Sequence, residues 1–163
     1  MTGSLQLASL LRRYGTFLGF LLIVSFFWSQ RPDTFMTTRN WLNITQQVSI
    51  LCVISFTMTL VMVGGDFDLS VGSMASLSGM IAAVLWQQDV SLFGALGTAL
   101  LVGAFGGVLN GVLVAYAGLS AFVATLGTLT IFSGLALLVS EGKTIFGRAI
   151  PEIVGDFSRG GIP

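Results

Sequence analysis

The chain has 163 residues, 54% of them hydrophobic and only 9% charged, and its seven basic and seven acidic side chains cancel to zero net charge; the mean hydropathy is +0.92. An ordinary soluble domain carries about 25% charged residues, so a soluble globular fold is disfavoured, and the neutral balance provides no field to draw nucleic acid. With no histidine and a single cysteine, Cys52, the commonest general base, thiolate metal clusters and internal disulfides are all lacking, so no catalytic residue, metal site or cofactor site is expected.

An ionised side chain near the bilayer centre costs roughly 2.5 to 3.5 kcal/mol, so charge-free stretches mark membrane spans. In chain order, Tyr14 to Gln30, Asn40 to Gly65 and Leu69 to Gln88 can each hold one helix of about 20 residues. Val90 to Ser140 would make a helix about 76 Å long and has to fold back. The break is expected at Ala117-Gly118-Leu119-Ser120, where Gly stops one helix and Ser caps the next. The expected fold class is an all-α membrane protein with about five transmembrane helices, near 15–29, 42–63, 69–88, 92–116 and 120–140, each close to the 20 residues a bilayer needs. Residues 1–140 thus form a transmembrane region, and 141–163 a polar, irregular loop. Pro32, Pro151 and Pro163 fall outside the spans, and Trp28, Trp41 and Trp86 sit near span ends, as residues without an N–H donor and headgroup-level aromatics should. Arg12 and Arg13 before an apolar run imitate a signal peptide, but no small-x-small cleavage pattern follows, so the first helix is expected to stay as an anchor.

Within the fourth span small residues recur at every fourth position: Ala95, Ala99, Gly103, Gly107, Gly111 and Ala115. Such a row forms a winding groove for another helix, and tight packing is its expected role. Between spans two and three, Gly64-Gly65-Asp66-Phe67-Asp68-Leu69-Ser70 breaks the helical pattern, and Asp68 or Ser70 can cap the following helix. The two carboxylates belong either at the end of a span or along a translocation path. Asn110 needs a partner on another helix or a wet cavity, so helix adhesion and substrate path both remain open. Thr125, Thr128 and Thr130 can satisfy themselves on the carbonyl one turn back, and Cys52 reads as packing. Two imitations fail. Gly142-Lys143-Thr144 ends like a P-loop, but Leu137 stands where the first Gly is required. Gly118-Leu119-Ser120 begins like a nucleophile elbow but ends in Phe122, with no histidine to activate the serine.

The run G-G-D-F-D-L-S-V-G-S from Gly64 to Ser73, with Q-V-S-I-L-C-V-I-S-F-T-M-T-L-V-M-V-G from Gln47 before it, resembles the permease subunit of bacterial monosaccharide ABC importers of the ribose, arabinose and xylose type. L-N-G-V-L-V-A at Leu109 to Ala115, F-V-A-T-L-G-T-L at Phe122 to Leu129 and G-I-P at Gly161 to Pro163 follow in the family's order. The Asp-Phe-Asp wording is most similar to arabinose-type members. The resemblance implies an inner-membrane, multi-pass channel built as a homodimer or pseudo-dimer. Its partners would be an ATP-binding subunit with two nucleotide-binding domains, which hydrolyses the ATP, and a periplasmic sugar-binding protein. It also implies that the five spans, each about 20 residues, are the N-terminal half of a roughly ten-helix permease, with the polar loop leading to a second half that bears the coupling helix. Asp66, Asp68, Ser70, Asn110, Phe122 and Thr125 are the motif residues expected along the substrate path.

The resemblance places the N-terminus in the cytoplasm. With five spans, Arg31, Arg39, Lys143, Arg148 and Arg159 then lie outside and Arg12 and Arg13 inside, against the positive-inside count; charges flanking the first helix often dominate, and the family orientation is kept. The alternative function is half of an ion-coupled secondary transporter, in which Asp66 and Asp68 beside a glycine-interrupted helix form the ion site.

Overall fold

A computed structural model describes residues 2–146 and 150–158, with side chains described over 12–146 and 150–156. All its elements are helices: α1 (Thr2–Gln30), α2 (Pro32–Phe35), α3 (Thr38–Val63), α4 (Val71–Gln87), α5 (Leu92–Ala115), α6 (Ala121–Val139) and α7 (Glu152–Ser158). The chain divides into two compact units, Met1–Gln47 and Val48–Pro163.

In the first unit, α1 is followed by a helical turn, α2, in the interval between the first two expected spans. Pro32 stands at the start of α2, where its missing N–H costs nothing, and Asp33 follows in the first turn, where an acid favours the helix dipole. The Thr37 hydroxyl donates to Thr34 O at 2.8 Å and accepts from the Asn40 backbone N–H at 3.2 Å. The Asn40 side-chain amide donates to Phe35 O at 2.9 Å. Phe35 stacks on Phe27 at 6.1 Å and meets Trp41 edge-on at 6.2 Å, so aromatic contacts and hydrogen bonds fix the same corner.

In the second unit α3, α4 and α6 end by a common device. Past α3, Gly65 N–H donates to Met62 O and Asp66 N–H to Val61 O, with Gly65 at φ +91, the Schellman arrangement that satisfies orphan carbonyls. The same pair of bonds closes α4 around Asp89 (φ 60) and α6 around Glu141 (φ 53). Between α5 and α6, Gly118 takes φ +71 and the Ser120 hydroxyl accepts from Val123 N–H, the stop and start that those residue types provide. Beyond α6, α7 interrupts the tail that the sequence suggested was irregular: Val154 and Gly155 donate to Pro151 O, and Glu152 lies in the first turn.

The core of this unit is α4 packed on α5 and α6. Leu77, Phe132 and Ala136 are buried, with Met74, Ile81, Val102 and Leu109 partly buried around them. In lipid there is no hydrophobic drive between helices, so close van der Waals approach has to hold them. That approach occurs at Gly106, where a Cβ would lie 1.9 Å from Met74 Cε.

The buried positions of α5 are Ala95, Gly106 and Asn110. Of the small-residue row, Ala95 is buried and Ala99 and Gly103 are half-buried, while Gly107, Gly111 and Ala115 are exposed in this chain. Helix geometry accounts for this. At 100° per residue Gly106 and Asn110 lie about 20° and 60° from Ala95, whereas Gly107, Gly111 and Ala115 lie about 120°, 160° and 200° away.

Among the described residues, three helices are long and apolar enough to cross a membrane: α3, α5 and α6. The first expected span lies within α1. The third is realised as α4, whose 17 residues extend about 25 Å, short of the ~30 Å hydrocarbon core, because Leu69 and Ser70 are drawn into the preceding bend.

Candidate functional site

The bend between α3 and α4 is where backbone leaves the helical pattern among apolar helices, and side chains from α5 and α6 hold it. Asp68 Oδ1 accepts from both the backbone N–H and the hydroxyl of Ser70, each at 2.7 Å. The Asn110 amide nitrogen on α5 donates to Ser70 Oγ at 2.7 Å. On α6, Thr125 Oγ1 donates to Ala121 O at 2.7 Å and accepts from Leu69 N–H at 3.1 Å. Ser73 Oγ donates to Ser70 O at 2.8 Å. Ser70, Asn110, Thr125 and Thr128 are all buried, so the bonds are made where unmade ones are costly.

This arrangement corrects the capping expectation. Ser70 is the N-cap of α4, but its side chain makes no capping bond: its backbone is already helical (φ −86, ψ −9) rather than extended as a capping residue's is, and its oxygen accepts from Asn110 instead. Asp68 in turn grips Ser70 itself, the local Asx pattern that competes with capping. The threonines behave as their chemistry suggests: Thr125 bonds the carbonyl one turn back, as does Thr130 to Leu126 O, and Thr128 bonds Thr125 O.

The hydrogen-bond chain fixes the orientation of Asn110. Ser70 Oγ gives its proton to Asp68, so it offers Asn110 a lone pair, and the amide nitrogen must face it. Asn110 Oδ1 then points away, buried and without a partner. The Asn110 residue lines two cavities. One, about 190 Å³, is also bounded by Thr57, Asp68, Ser70 and Phe132. The other, about 460 Å³, is bounded by Thr57, Asp66, Asp68, Gly111 and Thr125. A third, about 780 Å³, runs along the apolar faces of α4 and α5 past Gly79, Trp86 and Gly103, and it too reaches Thr57.

The structure therefore brings Asp68, Ser70, Asn110 and Thr125 into one network, with Asp66 on the wall of the neighbouring cavity. Phe122 lies apart, 57% exposed, beside a separate depression shared with Met62, Asp66 and Phe67. Thr57, which borders all three cavities, was not among the residues singled out from sequence; a hydroxyl in the middle of an apolar span was the available signal. Outside the helical core, Lys143 Nζ donates to Glu141 Oε2, and this hydrogen bond, with the ammonium charge, holds the Glu141 carboxyl below its ordinary range. The closing Gly161–Pro163 motif, Arg148 and Arg159 lie outside the described residues.

Apolar helices around a buried polar junction, with a broken backbone segment facing cavities, define an all-α membrane protein whose polar groups sit where only a protein-lined or wet path can accommodate them. The chain belongs to the family described as branched-chain amino acid transport system / permease component, which matches residues 40–158. It is 38% identical over 136 residues to the D-allose transport system permease protein of Escherichia coli (strain K12), covering 83% of this chain and 42% of that protein. It is 34% identical over 156 residues to the ribose import permease protein of Bacillus subtilis (strain 168), covering 94% and 48%, and 33% identical over 144 residues to that of Haemophilus influenzae, covering 88% and 44%. The chain thus spans somewhat under half the length of these relatives. No solved structure matches it significantly.

Proposed function

We propose that this chain is part of the transmembrane permease subunit of a binding-protein-dependent ABC transporter that imports a monosaccharide across the bacterial inner membrane. The observation that carries the reading is the identity to sugar-transport permeases across the segment that builds the buried Asp68–Ser70–Asn110–Thr125 junction. In this reading the subunit is a transport component and not an enzyme, and ATP is hydrolysed by a separate ATP-binding subunit with two nucleotide-binding domains. A second permease subunit, as homodimer or pseudo-dimer, completes the channel, and a periplasmic sugar-binding protein delivers the cargo. The N-terminus faces the cytoplasm, residues 1–140 form the membrane region and 141–163 a periplasmic loop. A pentose such as arabinose is one member of the cargo class; the relatives' own names specify D-allose and ribose.

The test is uptake of labelled D-ribose, D-allose and L-arabinose into liposomes holding the complete permease. Accumulation requiring both ATP and the binding protein is the expected result. Uptake by the permease alone, driven by a proton gradient, refutes the reading. It would favour the ion-coupled carrier, for which Asp66→Asn or Asp68→Asn would abolish proton or sodium dependence.

A further inference from the structure

The unpartnered oxygen of Asn110 is not an isolated defect. Asn110 is 8% exposed, its nitrogen is engaged by Ser70, and Oδ1 has no donor within reach. Buried amide oxygens in native proteins have a partner, from protein, water or ligand. The other polar groups that border the same two cavities and face them from neighbouring helices are acceptors as well. Thr57 gives its hydroxyl proton to Val53 O at 3.1 Å on its own helix, which leaves only lone pairs for the cavity. Asp68 accepts with Oδ1 from the Ser70 N–H and hydroxyl, and Oδ2 is left over. Thr57, Asp68 and Asn110 are common to both the 190 and the 460 Å³ cavities.

Side-chain acceptors without side-chain donors favour a ligand that brings hydrogens. The geometry points to Thr57, Asp68 and Asn110 as a single contact site for the hydroxyl groups of a small polyol in transit through the permease, with Thr57 as a specificity-determining residue on α3. This rests on the importer reading above. Hydroxyls suit the site because each can donate to one of these oxygens, while the apolar Phe132 and Met74 that share the smaller cavity accommodate the carbon face of a sugar ring. Separate acceptors on α3, on α5 and in the bend before α4 could replace part of the cargo's hydration shell without holding it in one rigid pocket.

The test uses the complete transporter, with its ATP-binding subunit and binding protein, in liposomes supplied with saturating binding protein and labelled D-ribose or D-allose. The measured quantity is sugar taken up per ATP hydrolysed. Thr57→Val removes one acceptor at constant shape and breaks no bond to another helix, so folding is expected to be retained. It should lower uptake per ATP about three- to tenfold, as for the loss of one neutral hydrogen bond, while ATP hydrolysis stimulated by the loaded binding protein stays within about twofold. Thr57→Ser should restore the ratio. An unchanged ratio in Thr57→Val assigns the free acceptors to a bound water and overturns the proposal. Equal falls in uptake and ATP hydrolysis assign Thr57 to packing and also overturn it. If replacing sodium by choline lowers the wild-type ratio and not that of Thr57→Val, the occupant is a cation and the polyol site is wrong. Absence of any ATP-dependent sugar uptake in the wild type identifies failure of the importer reading itself.

Discussion

Gly106→Ala is expected to destabilise the packed helices by about 1 kcal/mol, and to become stabilising once Met74 is removed. A Cβ at Gly106 falls 1.9 Å from Met74 Cε, 3.0 Å from Met74 Sδ and 3.3 Å from Phe132 Cζ. Carbon atoms pack at about 3.5 to 4.0 Å, so the end of Met74 has to retreat by roughly 1.5 to 2 Å. Methionine is flexible and can swing aside, but it then leaves its place against Phe132 and Leu77. Overpacking of this kind costs about 1 to 3 kcal/mol, against about 1 kcal/mol returned by replacing glycine with alanine inside a helix. In a Met74→Ala background the severe obstacle is gone and Phe132, at 3.3 Å, has only to give by a few tenths of an ångström into the space vacated, so the helix term prevails, a gain of up to about 1 kcal/mol. Gly107→Ala is the control: nothing lies within 4 Å of its Cβ, so the same small gain is expected in both backgrounds. Unfolding by sodium dodecyl sulfate in mixed micelles, followed by helical circular dichroism, gives the four differences. The same shift for Gly106→Ala with and without Met74 would falsify the assigned contact.

The polar junction yields further expectations. Ser70→Ala takes the acceptor from the buried Asn110 amide and a donor from Asp68, and should cost about 1 to 3 kcal/mol; combined with Asn110→Leu the cost should fall short of the sum of the two singles. Thr125→Val, equal in shape, strips the partner from Leu69 N–H; amide exchange at Leu69 should accelerate, while Thr125→Ser should leave it unchanged. Gly65→Ala has to adopt φ +91 and should lose about 1 to 2 kcal/mol in the same micellar titration. Asp89→Gly relieves a non-glycine residue at φ 60 and should gain up to about 1 kcal/mol; destabilisation there would contradict the helix-end geometry.

Much of the helical layout was legible because charge placement and punctuation are local signals. α5 and α6 occur as Leu92–Ala115 and Ala121–Val139 because Gly118 and Ser120 carry the stop and start in their own conformational preferences. The bend at Gly64–Ser70 was legible for the same reason: a glycine pair and two carboxylates do not continue an apolar helix. What each polar residue touches was not. Ser70 has the residue type of an N-cap, but its hydroxyl instead joins Asp68 in the bend to Asn110, forty residues away, a partner that local sequence does not show. Thr57 was passed over because its hydroxyl is satisfied within its own helix; its significance comes from the cavities it borders, which sequence spacing does not show.

The small-residue row carries the physical lesson furthest. A strict four-residue repeat drifts 40° per step, so a partner helix that stays straight meets it for only part of its length. On α5 the contact instead passes from Ala95 to Gly106 and on to Asn110, and these last two stand one turn apart on the same face. Glycine at 106 lets α4 approach until Met74 fills the space where a side chain would be, and that proximity brings the Asn110 amide within 2.7 Å of Ser70 at the start of α4. The close packing and the polar junction are therefore one feature. A bulkier residue at 106 should not only loosen the core but also lengthen the Asn110–Ser70 bond and expose the bend. Gly106→Leu should consequently raise amide exchange at Leu69 and Ser70 as well as lowering stability. Loosened packing with unaltered exchange at those two amides would separate what the geometry joins.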